Sequence, residues 1–275
     1  MFRSNGRATA LYVVLSTFLL GGGPVVGAPP GKLAEPLDVV FTAKLDGTEQ
    51  RYVVMLPESF ERSKTHTALI ALHGHGSDRW QFVKQTRGEC QAARDAAAKH
   101  GLVFVSPDYR ASTSWMGPAA EADVLQIIDE LRANYGVDRV IISGGSMGGT
   151  SALAFAALHP DKVAGVVSLN GTANLVEYPN FSDAITKSYG GTKQDRPEVY
   201  QSRSAELHAD KLTMPIAITT GGRDQAVPPE SCLRLVEKLR KLDRPVHLIH
   251  RPEGGHATNH ADSLAAFEFV IGKLR

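Results

Sequence analysis

The chain has 275 residues, 43% of them hydrophobic, which is enough to bury a substantial core in one large domain or two small ones. Lysine plus arginine (30) nearly equals aspartate plus glutamate (29), for a net charge of +1, which argues against a surface built for nucleic acid or a strongly acidic partner. The 10 histidines are scattered and form no metal-binding tract.

At the start of the chain Arg3 and Arg7 precede an apolar stretch, Ala8 to Leu20, and then a small-residue zone ending at Gly27-Ala28. A charged region, an apolar core too short to cross a bilayer comfortably and a cleavage zone read as a signal peptide over residues 1–28. The expected product is secreted or periplasmic, with no stable membrane association after cleavage. Residues 29–36 read as a Pro/Gly linker. Two alternating runs follow, Leu37 to Ala43 and Arg51 to Leu56, with the Asp46-Gly47 turn signal between them, and they predict an antiparallel hairpin. The stretch from Thr67 to Leu72 is apolar throughout, as a strand buried on both faces should be, and runs into His73-Gly74-His75-Gly76.

A helix is expected from Gly88 to His100, a buried strand from Leu102 to Ser106, and an amphipathic helix opened by Pro118. The strand at Val140 leads into Gly144-Gly145-Ser146-Met147-Gly148-Gly149 and a further helix ending near His159-Pro160. Val163 to Leu169 is another strand. Residues from about 174 to 208 are polar, with aromatics but no sustained period, and read as an insertion over the sheet edge. Met214 to Thr220 is a strand, Pro229 to Leu242 a helix, Pro245 to His250 a strand and Ala261 to Leu274 a last helix. After the hairpin, strands and helices alternate. That alternation predicts one α/β domain over residues 37–275, a mostly parallel sheet with helices on both faces and a crevice beyond the strands' C-terminal ends. Cys90 and Cys232 fall on helices assigned to opposite faces, so they are expected as two buried thiols.

Chemistry gathers at that edge. A strand ending in Gly144-x-Ser146-x-Gly148 before a helix has the composition of a nucleophile elbow: the turn strains the serine backbone, and flanking side chains would collide. Ser146 is the candidate nucleophile. The candidate acid is Asp224, just after a buried strand, with Glu230 second because it falls in the next helix. For the base the choice is His256, in Gly254-Gly255-His256 after the last strand, with His260 second. The backbone N–H groups of Met147 and His75 are the expected oxyanion donors. Three residues, Trp115, Asn170 and Gly76, are expected to border the crevice. Trp115 either stacks on a sugar or phenolic ring or packs its helix onto the sheet. His73 and His75 lack a third ligand at suitable spacing, so no metal is expected, and no organic cofactor is implied.

The order Ser146, Asp224, His256, each after a separate strand and with a His-Gly loop upstream, is that of the α/β-hydrolases. Over roughly residues 37–275 the chain is similar to serine esterases of the feruloyl esterase, acetylxylan esterase and polyhydroxybutyrate depolymerase kind. It also resembles the catalytic domain of prolyl oligopeptidase-type peptidases. The residues that carry this are Leu72-His73-Gly74-His75-Gly76, Gly144 to Gly149, Asp224 with Val227-Pro228, Gly255-His256, and Tyr135 to Val140 running into the elbow. The resemblance implies an exported serine esterase acting on a small-molecule or oligosaccharide ester. A serine peptidase is the alternative.

Overall fold

The computed structural model describes Met1 and residues 31–274. Apart from Met1, the expected signal segment therefore lies outside the described residues. β1 (Leu37–Thr42) and β2 (Glu49–Met55) form the N-terminal hairpin, and β2 lies antiparallel to β4 (Val103–Pro107). β4 runs parallel to β3 (His66–Leu72), and β3 in turn to β5 (Val137–Gly145). β6 (Gly165–Leu169), β7 (Ile216–Gly221) and β8 (Val246–Arg251) continue the parallel set. The strand order is β1-β2-β4-β3-β5-β6-β7-β8.

Because β3 is buried on both faces, its side chains feed two cores in alternation. Ala68, Ile70 and Leu72 pack with α3 (Pro118–Tyr135), α4 (Met147–Leu158) and α7 (Glu230–Lys241). On the other face Leu69 and Ala71 pack with α1 (Gln81–Lys84), α2 (Gly88–His100) and α8 (His260–Lys273). Cys90 sits in the second core and Cys232 in the first, both as free thiols, and burial pushes each up to about 12.

Two stretches differ from the sequence reading. The described part of the linker is tied down: Leu33 bridges Pro57, and the Ala34 N–H donates to Leu56 O at 2.7 Å. The insertion between β6 and β7 contains α5 (Ser182–Tyr189), α6 (Pro197–Ser202) and a 3-10 helix (Ala205–Lys211). These helices are too short to show a period, and long-range contacts hold them. Tyr189 Oη donates to Trp115 O at 2.9 Å, and Arg203 Nε donates to Met116 O at 2.7 Å.

Candidate active site

β5 ends at Gly145 and α4 begins at Met147, so Ser146 alone makes the turn, at φ 57° and ψ −119°. That is a left-handed backbone for a residue with a Cβ, and its surroundings impose it. The Ser146 N–H donates to Leu169 O at 2.8 Å, which fixes the turn to β6. A Cβ on Gly148 would stand 2.0 Å from Leu72 O, and one on Gly144 would stand 2.5 Å from Gly148 C. The helix can cross this close to β3 and β5 only because both positions are glycine.

The loops after β7 and β8 bring the other two candidates to the same point. The Asp224 carboxylate accepts from His256 Nδ1 at 2.7 Å, and His256 Nε2 lies 2.8 Å from Ser146 Oγ. The second Asp224 oxygen accepts the N–H groups of Ala226 and Val227 at 3.0 and 2.9 Å. Those bonds aim the first oxygen at the imidazole. Asp224 is buried, whereas His256 stays partly exposed and Ser146 opens to the cleft. The runners-up are elsewhere: His260 pairs with Asp95 at 2.8 Å, and Glu230 lines a separate groove beside Pro228.

Between β3 and α1 the glycine loop has two of its amides occupied. The Gly74 N–H donates to Gln81 Oε1 at 2.6 Å, and the Gly76 N–H donates to Ser112 O at 2.7 Å. Among the described residues the His75 N–H between them makes no hydrogen bond, and neither does the Met147 N–H at the start of α4. Both N–H groups expected at the oxyanion position are thus unspent. Below the loop, Tyr109 Oη donates to His73 O at 2.6 Å.

A cleft of ≈ 260 Å³ opens over Ser146 and His256, walled by Gly74, His75, Gln81, Phe82, Arg87, Glu89 and Phe181. Three expected binding residues are not on that wall. Trp115 has 0% exposure: at φ 43° its ring turns inward, under the rings of Phe181 (5.2 Å) and Tyr178 (5.6 Å). It braces the wall and cannot stack on a substrate. Asn170 is buried behind the histidine loop, where it accepts from Thr219 and Thr258 at 3.0 and 2.8 Å and donates to Gly255 O. Gly76 is an exposed turn residue at φ +78°.

The residues that do line the cleft are ones the sequence reading did not assign. Phe181, from the insertion, presents the exposed ring, and Gln81 is buried, with its amide nitrogen unpaired among the described residues. Glu89 is buried in the first turn of α2 and ion-paired to Arg87 at the rim. No local pattern marks these residues, because long-range packing places them in the cleft.

A strained serine at a strand-to-helix turn, joined through histidine to a buried carboxylate on this sheet, defines a serine hydrolase of the α/β-hydrolase superfamily. The sequence profile of the prolyl oligopeptidase family matches residues 94–270, and the chain belongs to that family. Its relatives include both peptidases and esterases. It is 28% identical over 160 residues to the uncharacterized peptidase YtmA of Bacillus subtilis, covering 54% of this chain and 62% of that protein. With feruloyl esterase C of Emericella nidulans it shares 26% identity over 166 residues, or 58% of this chain and 60% of that one. The chain thus spans less than two thirds of the length of these relatives. Among solved structures, the fluorophosphonate-binding serine hydrolase FphF of Staphylococcus aureus superposes with a TM-score of 0.65 at 22% identity, covering 90% of this chain and 99% of that one. At that identity the likeness is one of fold.

Proposed function

We propose that this protein is an exported hydrolase that cleaves carboxylic esters through an acyl-serine on Ser146, and that its substrates are acylated carbohydrates of the acetyl or feruloyl kind. The observation that carries the chemistry is the unbroken chain from Asp224 through His256 to Ser146, at 2.7 and 2.8 Å, open to a cleft. As Ser146 Oγ bonds to the ester carbon, His256 Nε2 takes its proton, and Asp224 holds the tautomer and balances the imidazolium. The N–H groups of His75 and Met147 receive the charge on the former carbonyl oxygen, each contributing roughly 10²–10³ in rate. Collapse breaks the C–O bond, and the alcohol leaves with the proton from His256. Water then enters by the same steps in reverse and releases the acid.

The cleft's ≈ 260 Å³ falls just below the range of about 300–1,000 Å³ usual for drug-sized ligands, which supports a short acyl group with the alcohol facing solvent. Phe181 offers the ring face that stacking on a phenolic or sugar ring requires. Similarity to a feruloyl esterase supports the ester reading, and the leader-like composition of residues 1–28 supports export. One observation favours a peptidase as second reading: Glu89 lies on the cleft wall, and with Oε1 paired to Arg87 its Oε2, which has no hydrogen bond among the described residues, is left for a substrate ammonium. The test is hydrolysis of p-nitrophenyl acyl esters, acetylated xylo-oligosaccharides, methyl ferulate and aminoacyl anilides, beside Ser146→Ala. Turnover of esters that Ser146→Ala abolishes supports the proposal. Turnover of the anilides alone replaces it with the peptidase reading, and no turnover by folded protein refutes both.

A further inference from the structure

His75 is more than the carrier of a free backbone N–H. His75 lines the cleft, and Phe181, also on its wall, packs against the imidazole at 4.6 Å. Behind it, Trp115 Nε1 donates to His75 Nδ1 at 3.1 Å. An indole nitrogen can only donate, so Nδ1 has to accept. A neutral imidazole that accepts at Nδ1 carries its one proton on Nε2. Among the described residues that Nε2 has no hydrogen-bond partner. The indole is fixed in turn, being fully buried against Tyr178 and Phe181. Burial also holds the His75 imidazole below the usual histidine range, so the ring keeps a single proton at pH 7.

We infer that His75 reads the substrate: Trp115 locks its imidazole as the Nε2–H tautomer, and that N–H donates to an acceptor oxygen beside the scissile carbonyl. The inference rests on the esterase reading, since the same residue's backbone N–H faces the oxyanion. From ordinary bond lengths, a ring N–H and the backbone N–H of one histidine lie within roughly 6 Å of each other. The oxygen it selects is therefore on the acyl or alcohol group that adjoins the ester bond. The substrate class is thus an ester of an oxygenated short acid or an oxygenated alcohol, in preference to an all-hydrocarbon ester of the same shape. A sugar alcohol meets that description.

The experiment compares isosteric pairs that differ by O against CH₂. On the acyl side these are p-nitrophenyl methoxyacetate and butanoate, and on the alcohol side 2-methoxyethyl and butyl acetate. Intrinsic reactivity cancels when the ratio of kcat/KM within each pair is compared between wild type and variants. In at least one pair, His75→Leu is expected to lower the preference for the oxygen-bearing member about five- to tenfold, the worth of one net hydrogen bond. His75→Gln, which keeps a donor at the same reach, retains part of it. Trp115→Phe keeps an aromatic ring there but removes the indole N–H and releases the tautomer, so it loses preference without losing His75. Both ratios unmoved in a folded His75→Leu enzyme overturn the inference and leave the esterase reading intact.

Nitrogen-15 NMR of wild-type His75 gives a second, turnover-free test. A bare Nδ1 with a protonated Nε2 is expected in wild type and a mixture in Trp115→Phe, whereas a protonated Nδ1 in wild type overturns the inference. If no ester is hydrolysed, the esterase reading fails by itself. Titration with methoxyacetamide against butanamide then asks whether the His75 Nε2 signal responds selectively to the oxygen, and an equal response overturns the inference.

Discussion

Replacing Asp224 by asparagine turns the geometry of one carboxylate into a large rate effect. Oδ1 of Asp224 accepts two backbone N–H groups, from Ala226 at 3.0 Å and Val227 at 2.9 Å. In the variant only the amide oxygen can take that position, because an amide NH₂ would meet two donors. The NH₂ then stands where Oδ2 stood, 2.7 Å from His256 Nδ1. Since it can only donate, Nδ1 must accept, and the imidazole proton moves to Nε2. That atom is 2.8 Å from Ser146 Oγ, and once protonated it cannot receive the serine proton. The expected loss is about 10⁴-fold in kcat, close to 5.4 kcal/mol, the scale known for this substitution in the serine protease triad. KM for p-nitrophenyl acetate should change little, because the substitution removes a transition-state interaction. Asp224→Ala differs instructively: it orphans both N–H groups, at about 1–3 kcal/mol each, so it melts earlier, whereas the asparagine variant melts with wild type. Stopped-flow hydrolysis beside calorimetry reads both quantities. An asparagine variant with wild-type stability and a kcat within about tenfold of wild type would refute the forced-tautomer argument.

Gly148→Ala puts a methyl 2.0 Å from Leu72 O at the end of β3 and 2.9 Å from His73 O in the loop after it, both backbone, so melting should fall by about 10 °C or more; a shift within about 3 °C sinks the close-approach argument. Phe181→Ala should raise KM for methyl ferulate about fivefold and leave that for p-nitrophenyl acetate nearly unchanged, and equal effects on both would remove Phe181 as a ring platform. For Glu206, burial raises the pKa, but hydrogen bonds from Arg234, Asn174 and Lys238 and the charge of Arg234 outweigh it and lower the pKa from 4.5 to about 2. The folded value lies below the unfolded one, so the group's stabilisation is fully present above pH 4.5 and is lost as pH falls toward 2. The difference in urea midpoint between wild type and Glu206→Gln should therefore shrink on acidification across that window; a difference that holds or grows contradicts the linkage.

What the sequence shows and what it hides divides along the range of the interactions. Ser146 and Asp224 follow apolar, largely buried strands, β5 and β7, and His256 follows β8, a half-buried edge strand, so parallel topology puts all three at one edge of the sheet. Within the edge, a side chain's direction depends on backbone angles that no pattern encodes. Trp115 lies in the loop after β4, yet φ 43° sends its ring into the core, and Asn170 at φ 51° turns toward Thr219 and Thr258. Residues 174–208 lack a period because helices of eight and six residues are too short to display one, and Phe181 was hidden with them. Gln81 and Glu89 are polar residues in the first turns of α1 and α2, positions that ordinarily face water.

The insertion is also joined to the catalytic acid. Tyr178 Oη donates to Ala226 O at 2.7 Å, and the Asn180 amide donates to Gln225 O and Ala226 O, each at 3.0 Å. Ala226 is the residue whose own N–H holds Asp224 Oδ1. One and two residues beyond the acid, at Gln225 and Ala226, the same segment therefore steadies the loop that aims Asp224, and it carries the ring proposed to meet substrate. A change in the insertion that repositions Phe181 also loosens the carboxylate's support. Substitutions made there to widen the cleft should lower kcat as well as shift KM, even where no altered atom touches Ser146, because a misaimed base removes the alignment that the reaction step depends on. Of the two anchors, Asn180 is the partly exposed one and the easier to remove without opening the core. Asn180→Ala accordingly separates the two roles: a lower kcat with KM unchanged marks it as support for the acid, and a change in KM alone confines the insertion to shaping the cleft.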